Sequence, residues 1–235
     1  MEDGKKKKMD DIKILYEDNH IIVVVKKPNI PSQADKTGDK DMLTILKEYL
    51  IQKYHKKGNA YLGLVHRLDR PVGGVMVFAK TSKAAGRLSE QVRDKTMKKE
   101  YLAIVDGKFT KKTGVLENYM LKNERTNTSK IVDNTVKNAK YAKLEYEVLG
   151  YNPEINLSVI KIKLYTGRHH QIRVQMANIG HSLCGDQKYG TRGRGKQIGL
   201  WACTLTFLHP ITKEEMSFHS IPDKIGSWKI LEGIV

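Results

Sequence analysis

The chain has 235 residues and a hydrophobic fraction of 40%, which is enough apolar material for a packed core. Lysine and arginine total 42 against 26 acidic residues, so the formal net charge is +16. No apolar run of about 20 residues is present, which excludes a transmembrane helix, and no signal peptide is predicted. The two cysteines, Cys184 and Cys203, are too few for a disulfide framework and lack metal-ligand spacing. We therefore expect a cytoplasmic protein.

The positive charge is spread along the chain instead of being confined to one tail. It recurs in clusters at Lys5–Lys8, Lys53–Lys57, Lys95–Lys99, Lys108–Lys112 and Arg192–Lys196. A field of this sign over a folded domain predicts a polyanionic partner. Nucleic acid is favoured over a membrane surface, because no basic amphipathic helix with a bulky apolar face stands out.

The first elements are predicted from apolar periodicity. Residues 1–11 are expected to form a disordered basic tail. Ile12–Tyr16 and Ile21–Val25 follow as two strands, with a turn between them. Asp41–Tyr54 carries its apolar residues at helical spacing. Val75–Ala79 has the composition of a buried strand, and Thr81-Ser82 can cap the helix that comes next.

The remaining elements are mostly strands. The polar segment Leu121–Lys140 is expected to be an exposed loop or hairpin. This segment is either a variable surface loop or a flap that grips RNA. The surface loop is the slightly favoured interpretation. The further strands are predicted over Glu100–Val105, Tyr141–Leu149, Leu157–Leu164, Trp201–Phe207 and Met216–His219. A helix is predicted near Gln171–Ile179, ended by Gly180, and a short helix carries Ile225, Trp228 and Leu231.

Strands therefore outnumber helices and often follow one another directly. This order favours an α+β fold with a mixed, largely antiparallel central sheet flanked by helices and loops, and not a doubly wound parallel sheet. Neither an internal repeat nor a clear linker is evident. We therefore predict one domain over residues 12–235.

The segment His66-Arg67-Leu68-Asp69-Arg70 places one carboxylate between two arginines, just before the buried strand Val75–Ala79. An adjacent Arg favours the ionised carboxylate and holds it in one orientation, as a nucleophilic aspartate requires. An ordinary surface ion pair is the alternative interpretation, and such pairs contribute little. The pentapeptide alone does not separate the two.

Three ordered segments together resemble the RluA-type RNA pseudouridine synthases. They are the pentapeptide at residues 66–70, Lys98–Gly107 with Glu100-Tyr101-Leu102 inside it, and Gly167–Val174. Lys27-Pro28 with Pro31 resembles an early turn of that family, and the resemblance extends over roughly residues 12–230. Some positions depart from the usual pattern: Asn29, Pro71-Val72-Gly73, His169 and Gln175. Only the catalytic domain is expected, since a short tail precedes Ile12 and leaves no room for an S4-like domain.

The resemblance implies a reaction and its residues. A uridine within RNA would be isomerised to pseudouridine, without a cofactor or a metal. Asp69 would be the essential aspartate, attacking C1′ or helping to deprotonate C2′; the sequence does not choose between these routes. Arg173 would pair with Asp69 and keep it ionised, and Tyr101 would lie against the uracil.

The resemblance also implies RNA contacts. The target base would be flipped out of the RNA, with Arg67 filling the vacated space. Arg70, Arg168, His170 and Gln171 are the other candidate RNA-binding residues, and His66 and His170 are expected to brace loops through hydrogen bonds. The expected partner is structured RNA, and ribosomal RNA is favoured over transfer RNA. A monomer with no membrane association and no obligate protein partner is expected.

Two other functions are considered. A catalytically idle RNA-binding or RNA-chaperone protein on the same scaffold would show the same basic surface, but would not depend on Asp69 for any reaction. A metal-dependent hydrolase would lose its activity to a chelator. The combination of Asp69, Tyr101 and Arg173 favours the isomerase.

Overall fold

The computed structural model describes residues 12–190 and 197–233. The chain forms two compact units. Unit 1 contains residues 12–97 and 204–220, and unit 2 contains residues 98–190, 197–203 and 221–233. The predicted tail at residues 1–11 and the basic cluster Arg192–Lys196 lie outside the described residues. The single domain over residues 12–235 stays a prediction.

Unit 1 is a sheet with two helices. Its strands are β1 (Lys13–Glu17), β2 (Ile21–Lys26), β3 (Gly63–Leu64), β4 (Gly73–Ala79), residues 204–208 of β10 (Leu200–Leu208) and β11 (Glu215–His219). Within the unit the strand order is β1-β2-β4-β10-β11, and β3 also pairs with β4. The pairing of β2 with β4 places Val23 opposite Val77. Both strands are buried along their whole length, which explains their nearly unbroken apolar sequences.

The helices of unit 1 begin at the residues expected for caps. Helix α1 (Met42–Lys53) starts after Asp41, whose Oδ1 accepts the Leu43 and Thr44 N–H groups at 2.9 and 3.2 Å. Helix α2 (Ser82–Arg93) starts after Thr81, whose Oγ1 accepts the Ala84 N–H at 3.2 Å. A buried apolar cluster of the unit is made by residues of the sheet and of α2, together with Met97 after that helix: Ile21, Val23, Val75, Val77, Ala79, Ala84, Leu88, Met97, Leu205 and Phe207.

Unit 2 is a second run of antiparallel strands. They are β5 (Lys98–Asp106), β6 (Thr113–Asn123), β7 (Thr128–Val132), β8 (Lys140–Asn152) and β9 (Leu157–Leu164), in the order β5-β9-β8-β6-β7. Strand β10, whose residues 200–203 belong to this unit, is the neighbour of β5 in the sheet. The polar segment after Met120 is therefore part of a hairpin, in which Asn123 Oδ1 accepts two backbone N–H groups of the turn. An RNA-gripping role for this hairpin stays a prediction.

Helix α3 (Gln171–Asn178) has special backbone geometry at both ends. His170, directly before it, has φ 55°, an unusual value for a residue other than glycine. At the other end Gly180 has φ 83° and donates its N–H to the Ala177 carbonyl at 3.0 Å, so it ends the helix as predicted. The last helix, Gly226–Gly233, is a 3-10 helix.

Every strand pair whose register is described is antiparallel. This confirms the predicted α+β class with a largely antiparallel sheet. Two elements were not predicted, the short strand β3 and the first half of β6. None of the helices in the described part of the chain is long and apolar enough to cross a membrane.

Candidate active site

Asp69 lies in unit 1, on the loop that connects β3 to β4. Its side chain is partly buried, between the buried Leu68 and the partly buried Arg70. The backbone of this loop is tied to its surroundings. The Asp69 carbonyl accepts the Val72 N–H at 3.0 Å, and Ser32 Oγ bonds both the N–H and the carbonyl of Leu68, at 3.2 and 2.8 Å. Hydrogen bonds therefore hold the backbone that carries the Asp69 carboxylate in one position.

His66 braces the start of the same loop. Its Nε2 accepts the Val77 N–H at 3.1 Å, and the side chain is buried. Because this nitrogen accepts a hydrogen bond, it carries no proton in this arrangement. The observed bond agrees with the expectation that His66 braces a loop through hydrogen bonds.

Lys26 is a site residue that the sequence reasoning missed. It is the last residue of β2 and is 0% exposed, and its Nζ donates to the Arg70 carbonyl at 3.0 Å. Burial lowers the pKa of Lys26, the Asp69 charge raises it and the Arg70 charge lowers it further, to about 7. The signal in the sequence was a lysine that directly extends the apolar run Ile21–Val25.

The two arginines beside Asp69 have different surroundings. Arg67 is exposed, as a residue that enters RNA would need to be. Arg70 instead binds groups of its own unit: its guanidinium donates to Thr37 Oγ1 at 2.7 Å and forms ion pairs with Asp39 and, at 3.5 Å, with Asp35. An RNA contact by Arg70 would have to compete with these carboxylates.

Tyr101 and Arg173 belong to unit 2. Tyr101 is on β5, opposite Ile162 of β9, and is 7% exposed. Arg173 is the third residue of α3 and is also buried. Contact of either residue with Asp69 or with a uracil stays a prediction.

Within unit 2, Arg173 forms an ion pair with Asp186. Arg173 Nε donates to Asp186 Oδ2 at 2.8 Å, and the terminal nitrogen Nη2 donates to Oδ1 at 2.6 Å. The Lys188 and Tyr189 N–H groups also bond Oδ1, at 2.9 and 3.2 Å. Burial raises the pKa of Asp186, but the Arg173 hydrogen bonds and charge outweigh it and lower the pKa overall. The sequence assigned Asp186 no role, so this ion pair was not predicted.

The other candidate RNA-binding residues surround the start of α3. Arg168 is partly buried and its Nε donates to the Tyr141 carbonyl at 2.8 Å. His170 is buried, with Nδ1 at 2.7 Å from Tyr189 Oη. His169 stacks on His170, with ring centroids 3.7 Å apart. The bond made by His170 agrees with its expected bracing role.

Gln171 has little capacity left for RNA. Its Oε1 accepts from Thr166 Oγ1 at 2.8 Å and from the Arg168 N–H at 3.0 Å, and its Nε2 donates to the Lys143 carbonyl at 3.1 Å and to Gln175 Oε1 at 3.0 Å. Both amide hydrogens and the carbonyl oxygen are thus in use. Direct RNA contact by Gln171 stays a prediction, and these bonds favour a structural role.

Among residues 12–190 and 197–233, no three His, Cys, Asp or Glu side chains come together in a way that could hold a metal ion.

Comparison with known sequences identifies the family. The family described as RNA pseudouridylate synthase matches residues 20–178. Two Bacillus subtilis (strain 168) proteins named as uncharacterized RNA pseudouridine synthases, YhcT and YjbO, are each 34% identical to this chain, over 87% and 94% of it. The chain covers 66% of YhcT and 75% of YjbO. Ribosomal large subunit pseudouridine synthase D of Blochmanniella floridana is 35% identical, over 89% of this chain and 68% of its own length.

Solved structures share the fold. Human RNA Pseudouridylate Synthase Domain Containing 4 superimposes with a TM-score of 0.77 at 21% identity, over 95% of this chain and 94% of its own. Human RNA Pseudouridylate Synthase Domain Containing 1 gives a TM-score of 0.75 at 23% identity, over 94% and 87%. The family match over residues 20–178 confirms the resemblance drawn from the ordered motifs. The chain therefore belongs to the RNA pseudouridylate synthases, a family of enzymes that isomerise uridine within RNA.

Proposed function

We propose that this protein converts specific uridines of structured RNA to pseudouridine, with Asp69 as the essential carboxylate and without a cofactor. The observation that carries the proposal is the way the chain holds Asp69. The peptide groups on both sides of it are hydrogen bonded, at Leu68 to Ser32 and at Arg70 to Lys26 and Asn29. Preorganisation of this kind is what a group that must meet a reacting carbon requires.

The reaction needs one bond to break and another to form within the same nucleotide. The bond between N1 of uracil and C1′ breaks, the base turns, C5 bonds to C1′, and C5 loses its proton while N1 gains one. Atoms and electrons therefore balance without an oxidant or a phosphate donor. Asp69 acts either by attack on C1′ or by removal of the C2′ proton, and both routes need an ionised carboxylate, as in a retaining glycosidase.

Unit 2 supplies two further residues in this proposal. Tyr101 offers the uracil a stacking face and a hydroxyl near C5. Arg173 complements the charge of Asp69. The ion pair with Asp186 fixes the guanidinium plane, so Arg173 enters the reaction already oriented.

Access to the base requires flipping. A base in a stem or a folded loop must leave its stack to meet a carboxylate on the protein, and this costs a few kcal/mol. The exposed Arg67, two residues before Asp69, occupies the vacated space. The net charge of +16 supplies attraction to the phosphates, which weakens as salt is added.

Ribosomal RNA is the proposed substrate class, and the cytoplasm the proposed location. Support comes from relatives named for the large ribosomal subunit, synthase D of Blochmanniella floridana and synthase C of Haemophilus influenzae. The protein is proposed to act as a monomer without an obligate protein partner.

Tritium release tests the proposal. RNA carrying tritium at C5 of uracil is incubated with wild type, Asp69→Asn and Asp94→Asn. Asp94 is a matched control, because it lies in unit 1 and its side chain is 52% exposed. Release by wild type and Asp94→Asn but not by Asp69→Asn, with RNA affinity equal in all three, is the expected result. Equal release by Asp69→Asn would overturn the proposal, and tight binding without any release would indicate an RNA-binding protein.

A further inference from the structure

The ammonium group of Lys26 is buried behind the loop that carries Asp69. Its Nζ lies 3.1 Å from the Lys27 carbonyl, 2.6 Å from the Ile30 carbonyl and 3.0 Å from the Arg70 carbonyl. An ammonium has three N–H donors, and three carbonyl oxygens receive them. The pocket is therefore shaped for a cation, although no exposed path leads to it, since Lys26 is 0% exposed.

The three carbonyls come from two parts of the chain. Those of Lys27 and Ile30 belong to the turn after β2, and that of Arg70 belongs to the peptide that follows Asp69 directly. Lys26 thus joins the turn to the loop that presents the carboxylate. A buried lysine that served only its own strand would not need to reach a segment 44 positions away.

Neighbouring bonds make the same connection. The Asn29 N–H donates to the Arg70 carbonyl at 2.8 Å, and Ser32 Oγ binds both polar groups of the Leu68 peptide. Asn29 has φ 68°, so the turn takes a left-handed conformation to direct its N–H at the loop. The segment from Lys26 to Ser32, which we name the loop clamp, therefore holds the chain on both sides of Asp69.

Charge adds to the connection. The charged groups of the β3–β4 loop that act on Lys26 are Asp69, which favours the ammonium, and Arg70, which opposes it. The cation does not touch the substrate, because it is enclosed by backbone. Its action on the reaction must therefore pass through the position of Asp69 and through the attraction between the two charges.

We propose that Lys26 is a positioning residue for the isomerisation, whose buried ammonium fixes the Asp69 loop and supplies a positive charge toward its carboxylate. This inference rests on the proposed function of Asp69. The family resemblance in this turn was drawn from Lys27, Pro28 and Pro31. Lys26 directly precedes these residues and was not part of it.

A pH profile follows from this role. Burial lowers the pKa of Lys26, and with the opposing charges of Asp69 and Arg70 it reaches about 7. Above that pH the ammonium becomes an amine with two donors, so one carbonyl loses its bond and the charge opposite Asp69 disappears. Turnover of the wild type should therefore fall as the pH rises above about 7, while the dissociation constant for RNA stays level.

Two methionine variants separate positioning from stability. Lys26→Met removes the ammonium and keeps much of the volume. Lys80→Met is the matched control, because Lys80 is also largely buried, lies in unit 1 and bonds Glu17 at 2.8 Å. Lys80 follows β4 at the end away from the Asp69 loop, and that strand of 7 residues spans about 23 Å. Both variants remove a largely buried lysine at the end of a strand of unit 1.

The expected result is a drop in kcat of about tenfold or more for Lys26→Met at a temperature where it is folded, with KM and RNA affinity little changed. The falling limb of its pH profile should vanish, and Lys80→Met should keep the wild-type kcat and profile. Equal losses of kcat in the two variants, or a wild-type kcat that stays level across pH 7, would overturn the proposal.

Amide hydrogen exchange tests the same role without turnover. If Lys26 holds the loop, Lys26→Met should speed exchange of the Asn29 and Val72 amides, which bond the Arg70 and Asp69 carbonyls. Unchanged exchange there would contradict the positioning role even if Lys26→Met failed to turn over. Activity of the two variants distinguishes this inference from the proposed function. If Asp69→Asn is inactive and Lys26→Met is fully active, the proposed function stands and the role of Lys26 is refuted.

Discussion

Arg173 and Asp186 form a two-point ion pair that is almost completely shielded from water. The two bonds measure 2.8 and 2.6 Å, and the exposed fractions of the two side chains are 5% and 0%. The guanidinium also lies over the Tyr189 ring, 5.2 Å from its centroid. Three contacts thus fix one arginine whose predicted partner in the reaction, Asp69, lies in the other unit.

Replacement of Asp186 by Asn should destabilise the protein strongly. It removes the carboxylate charge from a pair that is shielded from water, and breaking such a buried pair costs about 3 to 5 kcal/mol. Urea unfolding measures the loss. Glu117→Gln is the control, since its pair with Lys143, at 2.7 Å, is partly exposed, and such pairs contribute about 1 kcal/mol or less. A cost for Asp186→Asn no greater than for Glu117→Gln would refute this assignment.

Glu17 should make stability depend on pH under acidic conditions. Burial raises its pKa, but bonds from Lys53, Lys80, Tyr54 and Tyr49 outweigh burial and lower the pKa to about 2. A carboxylate with a lowered pKa in the folded state stabilises above its unfolded value of 4.5, and this stabilisation is lost as the pH falls toward 2.

The matching variant is Glu17→Gln, which should lose up to about 3 kcal/mol of unfolding free energy at pH 7 and much less at pH 2. Urea titrations at the two pH values measure this difference. Glu48→Gln is the control, because its ion pair with Lys40 is about half exposed. The same loss at both pH values would show that the charge of Glu17 does not stabilise the fold.

The role of Arg67 in base flipping predicts a dependence on RNA structure. Arg67→Ala should slow the reaction by about tenfold or more when the target uridine is base paired, because the vacated space is then left unfilled. It should have a small effect on an unpaired target. Tritium release from paired and unpaired versions of one RNA makes the comparison, with Arg93→Ala, 70% exposed, as control. Equal slowing on both RNAs would count against the flipping role.

Gln171→Ala should act on the fold more than on RNA. It leaves the partners of four hydrogen bonds unsatisfied, so we expect a loss of about 1 to 3 kcal/mol in unfolding free energy. RNA affinity, measured where the variant is folded, should be unchanged. If Gln171→Ala bound RNA more weakly but unfolded with the same free energy as wild type, Gln171 would be an RNA contact.

Much of the fold could be predicted from local patterns. The buried strands β2 and β4 are nearly unbroken apolar runs, and Asp41 and Thr81 are caps that the sequence itself displays. The first half of β6 was missed because Thr113–Tyr119 alternates between exposed and half-buried positions and has few large apolar residues. Strand β3 has 2 residues, too few for any periodicity.

The site shows a different limit. Asp69 was identified because its neighbours in the sequence are also part of the motif. Lys26 and Asp186 were not. The Arg70 carbonyl that Lys26 binds is 44 positions away, Arg173 is 13 positions from Asp186, and no spacing rule links either pair. A lysine at the end of an apolar strand is usually exposed to solvent. Lys26 is buried instead, because backbone carbonyls accept the hydrogen bonds of its ammonium group. Tertiary contacts of this kind require the folded structure.

Pseudouridine mapping in cells tests the central claim most directly. Ribosomal RNA is compared from cells that lack this gene and from the same cells carrying wild type or Asp69→Asn. The account predicts that at least one pseudouridine disappears without the gene, returns with wild type and does not return with Asp69→Asn expressed at the same level. Restoration by Asp69→Asn would contradict the claim that this carboxylate carries out the isomerisation.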